Sequence, residues 1–464
     1  MSKKRAAKDK SKKKSGKHKH QKKDHSTRKH KQREFETASA SAASESSPTR
    51  CAEHGLWTDV TQVKHPPADH QPLPFSSVDP DENERILSSG KMSFAMVGCS
   101  GDPINRTNTQ AVGAALSTDK DLSFLYHLGD MIYTISGSDT EGGKPVKRYS
   151  RSLWDNQLFG PYAKFLKKKK IFAIAGNHDG KYKQKIKALR DYFRFFCADT
   201  VKPRTGSKHN RQMKQPYIYW SLDTPYAYII GLYSNIANGG ILDKPSDYTR
   251  VHFKFKTGPQ YKWLVKQLRN VEKMNKRAGE QRKAVLLTVH YPPYSGAANF
   301  NVRGDQSKGG PAAKRNRPAQ PNNYDAPYLA VALQQAFNDS GQRPDAIFSA
   351  HAHLYQRLNY RFADKTTMPC LVVGCGGHSP LEELFHSCDG TLEAEPRKPP
   401  FPAVKPGMFE FPEGESAEVE AFDDKNFGYL KVTLDAKAHR LTSQLIAVKK
   451  GKAVEIDGQW VANY

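Results

Sequence analysis

Four apolar runs in this chain each break off into residues that can hold a metal ion, and that repetition restricts what it can fold into. Ser123-Phe124-Leu125-Tyr126 leads into His127-Leu128-Gly129-Asp130, and Ile171 to Ala175 leads into Gly176-Asn177-His178-Asp179. Ala284-Val285-Leu286-Leu287 leads into Thr288-Val289-His290-Tyr291, and Ala346-Ile347-Phe348 runs on to His351-Ala352-His353. Short apolar runs of this kind read as buried strands. One His-x-His says little. Four polar tips on four buried strands point to a shared site at one edge of a sheet.

The remaining pattern supports a layered α/β fold. A first strand covers 93–97, a helix 108–116, and a further helical stretch 151–169. Apolar residues at helical spacing (Ile186, Leu189, Tyr192, Phe193, Phe196) give another helix. Segments 217–222 and 227–232, separated by Asp223-Thr224-Pro225, read as a hairpin, so the sheet is mixed. An amphipathic helix follows at 259–277, a strand at 370–374, and two late strands at 428–434 and 441–448 close a sheet. One folded domain is expected over 91–450, with a polar loop insertion at 297–325 and a Pro/Glu-rich excursion at 389–425. Residues 35–90 read as a low-complexity linker and 451–464 as a C-terminal extension.

The chain has 464 residues and a formal net charge of +26. Half of that excess sits in residues 1–34, a stretch without apolar runs that cannot offset its ordering entropy and reads as a disordered basic tail. Lys3-Lys4-Arg5 and Lys12-Lys13-Lys14 suit contact with nucleic acid or polyphosphate, or nuclear import in a eukaryote; a solubilising extension without a partner is the competing reading. The six cysteines are sparse and irregularly spaced, which favours a reducing compartment over a disulfide framework. With no secretory signal and no transmembrane run, a cytoplasmic location is expected, or a nuclear one in a eukaryote.

The tips define a chemistry. Asp130 supplies a carboxylate able to bridge two cations, Asn177 an amide oxygen, and His290, His351 and His353 imidazoles. In an extended segment His351 and His353 face the same way. Mixed oxygen and nitrogen ligands suit Zn, Mn or Fe better than Mg. A bridged pair of ions orients and activates a hydroxide against phosphorus and neutralises charge on the transferring group.

With Gly129-Asp130-x-x-Tyr133, Gly176-Asn177-His178-Asp179, His290 before Tyr291-Pro292-Pro293, and His351-x-His353, the chain resembles the calcineurin-like metallophosphoesterase superfamily. Within it, the chain is similar to the purple-acid-phosphatase-like branch; the segment Gly258-Pro259-Gln260-Tyr261-x-Trp263-Leu264 matches too. The resemblance covers about 92–449. It implies a four-layer sandwich of two stacked mixed sheets flanked by helices, with metals at the sheet edge. It further implies two divalent or mixed-valence transition metals (Fe, Zn or Mn). Asp130 would bridge them; Asn177, His290 and His351 would hold one, and His353 the other. Tyr133 matches a phenolate ligand. His178 matches the acid or phosphate-stabilising histidine, with Asp179 the candidate to orient it.

One position departs from the pattern. Where the family carries an early carboxylate, this chain reads Gly98-Cys99-Ser100-Gly101-Asp102. Three readings stand open: Cys99 supplies a thiolate ligand, Asp102 reaches back, or the first metal is weak or lost. His378, after Gly376-Gly377, could reach the site from the next strand end but reads sooner as a loop histidine. Arg303, Lys308, Lys314, Arg315 and Arg317 read as a solvated basic loop or a phosphate grip, and Gln356-Arg357 as residues near the mouth. The function expected is phosphomonoester hydrolysis. The alternatives are phosphodiester hydrolysis on nucleotides and a degenerate scaffold that binds polyanions through its tail.

Overall fold

The four tips lie on two sheets. The computed structural model describes residues 71–133, 140–141, 144–145, 151–179, 185–198, 213–234, 259–297, 326–384, 399–402, 411–449, 451–456 and 460–464. The basic tail, the linker up to residue 70 and the five cations from Arg303 to Arg317 lie outside them.

Strands Lys91–Val97, Leu122–His127 and Lys170–Ala173 run parallel in a seven-stranded sheet, which Gly428–Asp435 and Arg440–Lys449 extend antiparallel. In a nine-stranded sheet, Ala227–Leu232, Ala284–Val289, Ala346–Ser349 and Thr367–Val373 are parallel neighbours. Parallel strands end together, so each sheet delivers its loops to one edge, where ligands bind in open α/β folds. Trp220–Asp223 pairs antiparallel with Ala227–Leu232, which is the expected hairpin. Helices Thr107–Thr118, Lys185–Phe196, Pro259–Ala278 and Ala326–Ser340 accompany the sheets. The expected two mixed sheets with helices are therefore present.

Aromatic packing and a few polar ties join the layers. Phe94 stacks on Phe124 at 4.7 Å, and Phe124 meets Phe172 edge-on at 5.4 Å. Between the sheets, Tyr126 lies 6.0 Å from Trp220, whose indole N–H donates to the Ala173 carbonyl at 3.1 Å. Thr288 and Tyr126 pair their hydroxyls across the same gap at 3.0 Å. All of these rings are buried, where offset and edge contacts add to area burial.

Several boundaries move. Part of the segment read as linker is folded: helix Pro80–Ser89 has Pro80 at its start and a left-handed Gly90 at its end, and it buries Ile86. Phe75 is also buried, 5.4 Å from Phe124. Part of the excursion is strand Ser416–Asp423, paired with Tyr355–Arg361, which hydrophobic runs did not disclose. The C-terminal extension contributes strands Lys452–Glu455 and Trp460–Asn463, both paired with Arg440–Lys449. The stretch read as one helix over 151–169 is broken into pieces at 151–154, 155–159 and 163–166. Strand pairing also corrects the expectation for Gln356 and Arg357. Gln356 is buried and accepts the Gly296 N–H, while Arg357 pairs with Glu420 at 2.8 Å.

Candidate metal centre

Two of the four tips, and the Cys99 turn beside them, are held by a backbone that ordinary residues avoid. Cys99 (φ 51°), Asp130 (φ 56°) and His351 (φ 64°) are all left-handed. Such conformations cost energy in a non-glycine residue and concentrate where side chains must be aimed. Gly129 (φ 94°) and Gly176 make the close approach possible. A β-carbon on Gly129 would lie 2.6 Å from His290 Nδ1, and one on Gly176 would lie 2.3 Å from Asp130 Oδ1.

Asp179 fastens these turns together. Its Oδ2 accepts the N–H groups of Asp130 and Gly176 (both 2.8 Å), and its Oδ1 accepts those of Met131 (3.0 Å) and Ile132 (3.3 Å). Burial and the charge of Asp130 push its carboxyl up to about 7, against the pull of those N–H groups. The orienting role expected of Asp179 toward His178 is therefore corrected: its lone pairs are engaged by the Asp130 and Gly176 turns.

Asp130 lies fully buried at the centre of the polar groups. Oδ2 is 3.3 Å from His290 Nε2 and accepts the Tyr133 hydroxyl at 3.1 Å. Oδ1 accepts the His178 N–H at 2.8 Å. Burial pushes its carboxyl upward, but the histidines His290 and His178 outweigh it and hold it well below the usual range. On one side Asn177 Oδ1 stands 3.0 Å from both His290 Nε2 and His351 Nδ1. On the other, the Tyr133 hydroxyl is 3.0 Å from His353 Nε2. Cys99 Sγ, an Asp130 oxygen and a His290 nitrogen all lie within 4.8 Å of one another. The six expected ligands thus converge as two groups that meet at one carboxylate.

The donor set fits transition-metal ions. His290 Nδ1 lies 2.7 Å from the Leu128 carbonyl, which can only accept, so Nδ1 carries the hydrogen. Nε2 then faces the electron pairs of the Asn177 and Asp130 oxygens. Electron pairs converging in this way need a proton or a cation between them, and a ring anchored through its other nitrogen is the usual posture of a metal-binding histidine. Nitrogen and sulfur donors beside the oxygens set this group apart from the all-oxygen cage that suits Mg. Asn177, His178 and His351 remain partly exposed, which marks the open side of the site.

Asp102 is engaged elsewhere. Its Oδ1 accepts the N–H groups of Ile104 and Asn105 (2.8 Å each), and its Oδ2 accepts that of Ser379 (3.3 Å). Cys99 instead accepts the His351 N–H at 3.2 Å inside the cluster. Burial, then the charge of Asp130, pushes its thiol well above the ordinary value. The reason given for His351 and His353 facing together is also corrected: the segment bends at left-handed His351, and the two rings reach opposite groups.

Residues 92–355 match the calcineurin-like phosphoesterase family. The chain belongs to that family. It is a phosphoester hydrolase of the metal-dependent kind. Among solved structures it is similar to GAP50, the anchor in the inner membrane complex of Plasmodium (13% identity, 80% of this chain and 88% of that one, TM-score 0.41). It is similar to PhoD (12%, 80% and 68%, 0.47) and to a Danio rerio dimetal phosphatase (10%, 80% and 99%, 0.36). No curated protein sequence matches it. Among the described residues, no helix is long and apolar enough to cross a membrane.

Three further residues neighbour this phosphoesterase centre. His378 stacks on Tyr133, Tyr291 meets His351 edge-on at 4.4 Å, and Gln157 grips both backbone groups of Tyr133 (2.8 and 2.9 Å). Tyr291 carried a signal in its place beside His290, and His378 in its place after a strand end; Gln157 carried none.

Proposed function

We propose that this phosphoesterase hydrolyses phosphomonoesters at a binuclear centre of the purple-acid-phosphatase-like type. Asp130 is the shared ligand, Asn177, His290 and His351 hold one ion, and Cys99, Tyr133 and His353 hold the other. The observation that carries this reading is the position of the Asp130 carboxylate, which touches both groups of donors. Bound ions would polarise the phosphoryl oxygens and make an attacking water acidic. The protein supplies the rest. Asp179 and the two glycines fix the turns, and the anchored Nδ1 of His290 fixes the direction of its Nε2. His178 has its backbone tied to Asp130 and its ring partly exposed, and it offers that ring to the leaving oxygen as an acid or hydrogen-bond donor.

Zn, Fe or Mn are the ions the donor set favours. Phosphodiesters, nucleotides included, are the second substrate class. A degenerate scaffold is the rival reading, and the buried Cys99 in the carboxylate's place favours it. The test is turnover of a chromogenic phosphomonoester by protein loaded with Mn, Zn or Fe. Activity in the native chain that is absent from Asp130→Asn supports hydrolysis; a loaded native chain inert on monoesters and diesters supports the scaffold.

A further inference from the structure

His378 follows two glycines that the packing requires. A β-carbon on Gly376 would lie 2.4 Å from the Gly98 carbonyl oxygen. Gly377 has φ 140°, and a β-carbon there would lie 2.5 Å from Thr109 Oγ1. Through this gap the loop docks on the Cys99 turn: Gly376 N–H donates to the Gly98 carbonyl and His378 N–H to the Cys99 carbonyl, both at 3.0 Å. The imidazole is fixed as well. Nδ1 is 2.7 Å from the Gly101 carbonyl, so Nδ1 carries the hydrogen.

Held there, the ring lies flat on Tyr133, with centroids 3.6 Å apart and planes 9° apart. Its centroid is also 4.7 Å from that of His353, at 75°. Two explanations compete for a histidine in this place. As a ligand it would hold an ion in its own ring plane, about 2.0–2.1 Å from nitrogen. The Tyr133 oxygen belongs to a parallel ring stacked above that plane, so the two cannot close on one ion in this arrangement. The other explanation needs no rearrangement. A rigid ring pressed on the phenol restricts its swing and keeps its hydroxyl on Asp130 and His353.

We infer that His378 is a positioning residue whose imidazole, held by the Gly101 carbonyl while its backbone N–H is tied to the Cys99 carbonyl, serves as the platform that aims Tyr133 at Asp130 and His353. The Cys99 turn and Tyr133 are thereby braced by one loop from the opposite sheet. This inference deepens the functional reading above and rests on it for the role of Tyr133, but the contact itself can be tested without turnover.

The experiment is a double-mutant cycle by urea unfolding of metal-free protein, using His378→Ala, Tyr133→Leu and the double variant. Aromatic pairs in contact are worth about 0.5–1.5 kcal/mol, so the unfolding constants should depart from additivity by about 2- to 10-fold. Additive constants overturn the platform. Activity of the metal-loaded variants supplies the second arm. His378→Phe keeps a flat ring and should hold kcat within about 3-fold of the native value, while His378→Ala lowers kcat with KM little changed. Phe as poor as Ala would show that the imidazole nitrogen acts itself, and would overturn the platform too. A native protein without turnover sinks the functional reading, while the cycle still decides this one.

Discussion

The two halves of the centre are built to different standards. In the half around Asn177, His290 and His351, the ligands are ordinary nitrogen and oxygen groups, and one amide oxygen stands 3.0 Å from both imidazoles. In the half around Cys99, Tyr133 and His353, a thiol stands where the family carries a carboxylate, and a phenol supplies the contact to Asp130. Burial, with Asp130 and Cys99 beside it, pushes the Tyr133 phenol well above its ordinary value, and burial, with His378, pushes His353 well below. On the reading proposed above, the first half would offer ordinary donors to a divalent ion, and the second would hold its ion through a buried thiolate and phenolate.

The comparison breaks first at the group both halves share. Asp130→Asn removes the common charge, and kcat/KM on a chromogenic monoester should fall by about 10³-fold or more, with metal content reduced in both halves. An equal loss of both ions would show that the halves depend on one carboxylate. Single-half variants sharpen the contrast. His351→Ala should lower kcat/KM by about 10²-fold and remove one ion per chain, while Cys99→Ser should remove the other. Cys99→Asp restores the superfamily's carboxylate and should keep two ions while shifting preference from Zn toward Mn, read by elemental analysis after competitive loading.

The support beneath both halves is tested by Asp179→Asn. An amide presents N–H groups to donors that a carboxylate accepts, and about 2 kcal/mol of stability to urea should be lost. The smallest effect lies far from both halves. Arg85 and Lys169, outweighing burial, hold the Glu82 carboxyl below its ordinary 4.5. A depressed carboxylate contributes stability above its unfolded value, and that contribution disappears as pH falls through the folded one. Glu82→Gln should therefore cost under about 1 kcal/mol at neutral pH and nothing in acid, with metal content unchanged, as read by thermal unfolding at several pH values.

The centre was legible wherever one side chain announces its chemistry next to an apolar run. Asp130, Asn177, His290, His351 and His353 each end or follow such a strand, and the structure brings them together. Asp179 was singled out for the wrong task, because a carboxylate beside a histidine suggests an orienting partner, and only coordinates show four backbone N–H groups claiming it. The choice between Cys99 and Asp102 was open because it depends on how tightly a turn closes. Left-handed Cys99 closes it, and Asp102 falls beyond, capping the next turn. His378 was discounted because Tyr133, the ring it stacks on, lies more than two hundred positions earlier in the chain. For the fold, Tyr355–Arg361 and Ser416–Asp423 escaped because buried polar groups such as Gln356 interrupt their apolar pattern. Helix Pro80–Ser89 escaped because only its ends, Pro80 and Gly90, carry a clear signal.

Anomalous X-ray diffraction from crystals of the native chain loaded with Zn or Mn tests the central claim most directly. Two peaks should flank Asp130, one against Asn177, His290 and His351 and the other against Cys99, Tyr133 and His353. A single peak confined to the first group, or peaks remote from Asp130, would contradict a binuclear centre shared across that carboxylate.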